Sequence, residues 1–329
     1  MTGCISSTVR QGMTNLEIIE DCDNFPYPEL GAVGAYAEQL KSLWKFFLPN
    51  DPRPHGLMLD SVVRAMPWTD DFQLNSTTKE IHMVQKADPS WEKQCDHSID
   101  TLLDTARASG IFPKLGKKRD EKYPIVGARF PIGIERSATS LFGIIGQGVH
   151  MTIYTRDESG LKFWIPQRNI NKSTYPGMLD NAVAGGVAAG ENAFECLVRE
   201  ASEEAAIAEN YVRDHAKAGG TVTWFNISDA RAGGEPGLMN PGVLYVYDLE
   251  IAADMILESV DHDIEAFHLM SVQEVKEALE KGRFKPSSAN VTIDFFVRHG
   301  IITAENDEDY VDIVSRLHRR LPFPTKPHF

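Results

Sequence analysis

Five charged residues carry the most specific chemistry in this chain: Glu191, Arg199, Glu200, Glu203 and Glu204. On a helix turning about 100° per residue, Glu200, Glu203 and Glu204 fall within an arc of roughly 100°. Each like-charged pair at that spacing costs a few tenths of a kcal/mol, so the cluster calls for a cation. Hard divalent ions with oxygen ligands, Mg²⁺ or Mn²⁺, suit it best where phosphates complete the coordination. Arg199 is placed to pair with Glu203 or Glu195, and Glu191, two turns earlier, can orient it. Three acids alone are also the mark of an ordinary solvated helix face. Just upstream, Gly185-Gly186 lets backbone approach a ligand closely.

The elements that must position these groups are legible around them. Phe194, Leu197, Val198, Ala201, Ala205 and Ala208 form an apolar stripe that fixes a helix over 191–208 and aims its acids outward. Strands are predicted at 150–155 and 161–166 about the turn 157–160, and again at 221–227 and 242–251. Helices are predicted over 271–280, ended by Gly282, and over 288–299, ended by Gly300. Towards the N-terminus, apolar spacing predicts helices over 34–48, 57–66 and 98–109, with short strands within 72–84. The first 30 or so residues read as a loose lead-in, and 316–322 as an exposed tail. The basic, turn-rich stretch 114–122 marks a boundary near 125, giving an extension over 1–125 and a second domain over 126–329. Strands mixed with helices that form no regular βαβ repeat indicate an α/β sandwich for the latter.

Composition narrows the partners. The 329 residues hold 33 Lys+Arg against 47 Asp+Glu, a net charge of −14 that disfavours nucleic acid as a partner. Apolar runs such as 141–148 are too short to span a bilayer, so no membrane association is expected. The four cysteines, Cys4, Cys22, Cys95 and Cys196, show no metal or disulfide spacing and suit a reducing cytoplasm, with mitochondria second. His150 and His268 read as structural, and nothing indicates the oligomeric state.

The full spacing Gly185-x5-Glu191-x7-Arg199-Glu200-x-x-Glu203-Glu204 resembles the Nudix box, Gly-x5-Glu-x7-Arg-Glu-U-x-Glu-Glu-x-Gly-U, where U is a bulky aliphatic residue. Two positions depart: Ala201 stands at the first U and Ala206 at the second Gly, where the helix could run on by part of a turn. The resemblance implies an α/β/α sandwich, here with an N-terminal α+β extension domain, and Mg²⁺- or Mn²⁺-dependent cleavage of a small diphosphate. Carried over, Glu200, Glu203 and Glu204 become metal ligands with help from the main chain at Gly185. Glu191 and Arg199 orient them, and Glu203 or Glu265 serves as general base. Segments such as 135–138, 164–168, 172–181 and 284–286 are also similar to the branch related to the Nudix half of fungal thiamine pyrophosphokinase fusions. That branch implies hydrolysis of thiamine diphosphate and its oxidised or damaged analogues (oxothiamine and oxythiamine diphosphate) to the monophosphate and phosphate.

A substrate of that kind needs cations for its diphosphate and flat apolar surface for its rings. Arg136, Arg168 and Lys172 are candidates for the first. Trp164, Tyr175 and Phe130 are candidates for the second, with Trp164 also a natural core residue. The competing readings are a general diphosphatase for ADP-ribose or a dinucleotide, and a Nudix binding module without turnover. A prenyl-diphosphate isomerase would need a catalytic Cys, for which Cys196 is poorly placed.

Overall fold

A computed structural model describes residues 12–28, 33–259 and 263–327. The N-terminal half builds helix α1 (Asn15–Cys22), α2 (Val33–Ser42), strands β1 (Trp44–Phe47) and β2 (Pro54–Met58), and α3 (Asp60–Ala65). Strands β3 (Phe72–Asn75) and β4 (Glu80–Met83), helix α4 (Trp91–Ser109), and the hairpin of β5 (Lys122–Pro124) and β6 (Gly133–Glu135) follow. The second half comprises α5 (Thr139–Phe142), β7 (Gly146–Asp157), β8 (Gly160–Arg168), β9 (Val183–Gly186), α6 (Ala193–Ala205) and α7 (Glu209–His215). It ends with β10 (Lys217–Ile227), β11 (Met239–Glu250), β12 (Ile264–Ser271), α8 (Val272–Glu280), α9 (Pro286–Arg298) and α10 (Tyr310–Leu317).

The larger sheet has the order β10-β11-β7-β8-β12, with β9 pairing β7 off that path. Strand β7 runs parallel to β11 and antiparallel to β8 and β9. Its side chains alternate between two layers, as strand geometry requires. Val149, Met151 and Ile153 pack with Cys196, Leu197 and Ala201 of α6. On the other face, Tyr154 joins Phe163, Val291, Ile293 and Phe295 of the layer built on α9. This is the expected α/β/α sandwich. A separate four-stranded sheet, β2-β1-β4-β3, packs with α4 through Phe46, Ile81, Ile99 and Leu102. Its core continues through the hairpin residues to Leu141, Phe142 and Ile144.

Several expectations are corrected. The helix foreseen over 34–48 stops at Ser42, and Trp44–Phe47 becomes a strand. Pairing with both β2 and β4 buries Trp44, Phe46 and Phe47, which outweighs the helical spacing. Likewise 57–66 divides into the end of β2 and the short α3. Within the described part of the lead-in, 12–28, the chain is not loose: α1, capped by Thr14 and Glu17, buries Cys22 and packs Ile18 and Ile19 against the layer of α9, while 1–11 and 29–30 lie outside the described residues. The C-terminal segment is not exposed either. Arg319 ion-pairs Asp23 at 2.9 Å, sits 3.9 Å above the Tyr27 ring, and leads into the buried Leu321 and Phe323.

Candidate active site

Helix α6 carries the charged cluster. Asn192 starts it by accepting the Glu195 amide at 2.9 Å. Cys196, Leu197, Val198, Ala201 and Ala205 anchor its inner side in the core. It ends at Ala205, because Ala206 itself takes the left-handed conformation (φ 53°) and donates to the Ala201 carbonyl. The helix therefore does not run on where alanine replaces glycine. The turn keeps its shape at a cost of roughly 1–2 kcal/mol for a non-glycine residue.

On the outer side one guanidinium gathers three carboxylates. Arg199 donates to both Glu191 oxygens, at 3.0 and 3.2 Å, and through Nη1 to Glu200 at 2.8 Å and Glu203 at 3.1 Å. The hydrogen bonds to Glu191 hold Arg199 firmly charged, and Glu191 is lowered in return. Glu204 stands apart. It is half-buried, accepts the Ala184 amide at 2.8 Å, and is pushed by burial up to about 8. Burial raises Glu200 as well, against the pull of Arg199. Glu203 remains 57% exposed at its side chain.

The glycines of β9 make room for this cluster. A Cβ on Gly185 would lie 2.2 Å from Cγ and Cδ of Glu200, so that carboxyl rests directly on backbone. As placed, no three His, Cys, Asp or Glu side chains converge on one point among the described residues, because Arg199 draws Glu200 and Glu203 to itself. The donor chemistry nonetheless fits a hard divalent cation. Glu200, Glu203 and Glu204 supply only oxygen, and two of the three are carboxyls whose negative form burial penalises. A dication would remove that penalty.

Beside the cluster opens a cleft of about 260 Å³, lined by Tyr123, Arg136, Gln147, His150, Trp224 and Lys285 over the glycines of β7, β9 and β11. Two aromatic groups lie directly on glycines. A Cβ on Gly186 would fall 1.7 Å from the Tyr123 hydroxyl, and one on Gly242 would fall 2.1 Å from the Trp224 ring. Arg136 reaches over the Tyr123 ring at 5.6 Å and bonds Glu121 at 3.2 Å. His150 is buried, bonded to Asn181 at 2.6 Å, and held neutral by burial, which lowers it to about 4.

The NUDIX domain model matches residues 146–293, a stretch that contains the whole carboxylate cluster. The chain is 40% identical over 331 residues to an uncharacterized protein of Saccharomyces cerevisiae, covering 96% of this chain and 93% of that one. It belongs to the Nudix hydrolases, which act on phosphoanhydride bonds. Nudix hydrolase 20, chloroplastic, of Arabidopsis thaliana is 37% identical over 215 residues, covering 64% of this chain. The chain spans 54% of that plant protein's length. Among solved structures, the Nudix domain of Shewanella oneidensis NrtR complexed with ADP ribose aligns with 47% of this chain and 88% of its own. Its sequence identity is 14% and its TM-score 0.35.

Within this Nudix hydrolase, the candidate substrate residues separate. Arg136 lines the cleft. Arg168 does not: its guanidinium is taken up by Asp180 at 2.8 Å and by the carbonyls of Thr174 and Tyr175. Lys172 pairs with Asp263. Trp164 is buried in the layer under α6, and Phe130 in the N-terminal core edge-on to Trp91. Tyr175, at φ 48°, closes the loop that Arg168 holds, its backbone amide donating a hydrogen bond to the Arg231 carbonyl. Glu265 is an exposed residue at the register shift of β12, outside the cleft lining. His268 bonds Gln167 at 3.2 Å on the surface. Sequence reasoning missed Tyr123, Trp224 and Lys285. Of these only Lys285 had a signal, lying in the Phe284-Lys285-Pro286 segment.

Proposed function

We propose that this Nudix hydrolase is a metal-dependent diphosphatase for thiamine diphosphate and its oxidised or damaged analogues, releasing the monophosphate and phosphate. The supporting observation is the cleft, which sets aromatic walls (Tyr123, Trp224) and cations (Arg136, Lys285) beside the Glu200–Glu204 cluster. A flat ring and a diphosphate tail need those two kinds of surface. The similarity of segments 135–138, 172–181 and 284–286 to the thiamine-related branch supplies the choice of ring.

Glu200, Glu203 and Glu204 would hold Mg²⁺ or Mn²⁺, with the main chain at Gly185 beside them. Such an ion neutralises phosphate charge and lowers the pKa of a bound water. The chain's own residues then have defined tasks. Arg199 and Glu191 fix the rotamers of Glu200 and Glu203. Exposed and tethered, Glu203 takes the proton of the attacking water, a role that Glu265 has no cleft contact to fill. Arg136 takes phosphate charge, and the ring lies between Tyr123 and Trp224. The extension over 1–125 contributes Tyr123 to the site, and the domain division at 125 and a cytoplasmic setting belong to the same proposal. No helix among the described residues is long and apolar enough to cross a membrane.

Purified protein with Mg²⁺ is expected to release phosphate from oxidised thiamine diphosphate, and Glu203→Gln or Glu204→Gln to abolish release. Turnover of ADP-ribose or a dinucleotide, with none of any thiamine compound, would reassign the substrate. Tight diphosphate binding without turnover would make the chain a binding module.

A further inference from the structure

Lys285 sits at the entrance to α9 and is pinned by its backbone. Its amide donates to the Leu179 carbonyl at 2.9 Å, and the Leu179 amide donates to the Arg283 carbonyl at 2.9 Å. Its side chain, 21% exposed, lines the cleft with His150, Ala184 and Gly185. The nearest carboxylate oxygen, Asp180 Oδ2, is 3.6 Å away, beyond hydrogen-bonding distance.

Asp180 is already well supplied. It accepts Arg168 at 2.8 Å, the Asn181 amide at 2.9 Å and the Ser288 hydroxyl. Lys285 gives this buried acid the largest favourable charge contact but no hydrogen bond. An ammonium has three donors, and Nζ of Lys285 makes no hydrogen bond to any described residue. The charges facing it are Asp180 and Glu204, which favour the ammonium, and Arg168 and Arg136, which oppose it, with burial the largest opposing influence. His150 beside it is neutral near pH 7. A cation held in a concave, partly enclosed place with its donors unfilled is suited to an anion brought by a ligand.

We propose that Lys285 binds a phosphate oxygen of the substrate's diphosphate, as a second cationic contact distinct from Arg136. The inference rests on the diphosphatase reading. It gives Lys285 a binding role beside its charge contact with Asp180, and the two roles separate by measurement.

The probe is methylenediphosphonate, a diphosphate that cannot be hydrolysed, titrated calorimetrically into the full chain with Mg²⁺. One charge-assisted hydrogen bond is worth roughly a 10- to 100-fold change in affinity. Lys285→Met and Lys285→Gln should weaken binding by that factor, Lys285→Arg should retain most of it, and KM should rise more than kcat falls. Melting temperature reads the charge contact with Asp180 separately, and should fall in Lys285→Gln but hold in Lys285→Arg. If Lys285→Met does not fold, the Gln and Arg variants carry the comparison. A Lys285→Gln protein that binds the diphosphonate like wild type, with unchanged KM on diphosphates, overturns the inference and leaves the diphosphatase reading intact. A wild-type chain that neither binds the diphosphonate nor releases phosphate from any diphosphate overturns both.

Discussion

Gly185→Ala isolates the positioning of one carboxylate by one missing methyl group. Gly185 has no positive φ that would strain alanine, so the substitution acts through contact alone. The new Cβ would lie 2.2 Å from both Cγ and Cδ of Glu200 and 2.3 Å from its Oε1. Carbon atoms pack at about 3.5–4.0 Å, so the carboxyl must retreat by roughly 1.5 Å. Arg199 ties that carboxyl at 2.8 Å, and the helix behind it is fixed by buried Cys196, Leu197 and Ala201. The overlap is therefore relieved chiefly by the glutamate side chain, at about 1–3 kcal/mol of stability. A displacement of about 1 Å at reacting groups costs roughly 100-fold in rate. Magnesium-dependent phosphate release should thus fall about 100-fold in kcat/KM, with a modest loss of melting temperature and a raised Mg²⁺ requirement. Adding Glu200→Gln should cost little more, since both changes remove the same ligand position. A Gly185→Ala enzyme with wild-type kcat/KM and Mg²⁺ dependence would refute the placement of Glu200 against this glycine.

Three further outcomes follow from the geometry. Glu204 titrates near 8 in the folded chain against an ordinary 4.5, so the folded state holds an extra proton between those values. The metal-free protein should therefore be most stable with respect to this group below about pH 4.5 and lose stability as pH rises towards 8. Thermal melts should show that descent, Glu204→Gln should flatten it, and Mg²⁺ should restore stability chiefly at the alkaline end. Trp224→Ala should raise KM about 3- to 10-fold with kcat largely kept, because ring stacking contributes about 0.5–1.5 kcal/mol. Arg319→Met leaves buried Asp23 with hydrogen bonds from Tyr27 and Phe225 but no described cation nearer than Arg316 at 4.0 Å, and urea denaturation should show a loss of about 3 kcal/mol or more.

Legibility differed by kind of feature. Glu191, Arg199, Glu200, Glu203 and Glu204 were readable because the helical repeat converts fixed spacing into one face, and the structure keeps them together through Arg199. Strands β7, β8, β10 and β11 of the larger sheet were readable for a similar reason, since their alternation is local, whereas β9 and β12 were not foreseen. The reading failed where burial is supplied from far along the chain. Residues 44–47 have apolar spacing that suits a helix, and pairing on both edges makes them a strand. Arg319 looks like a tail residue until Asp23, Phe25 and Tyr27 are folded against it. Arg168 and Lys172 looked like free phosphate ligands, and nearby carboxylates and carbonyls claim them instead.

The sequence by itself thus determined the family and the charged helix of this Nudix hydrolase, because both depend on residue types at fixed separations. Only the tertiary structure decided what faces that helix. Tyr123 comes from a hairpin outside the matched stretch, Trp224 from the outermost strand of the large sheet, and Lys285 from the start of a helix on its far layer. None of these separations is fixed by helix or strand periodicity. They meet because Gly186 and Gly242 leave space for the aromatic groups and because the Leu179 backbone anchors Lys285. A substrate pocket assembled from three distant segments is set by packing, and packing is not written in local spacing.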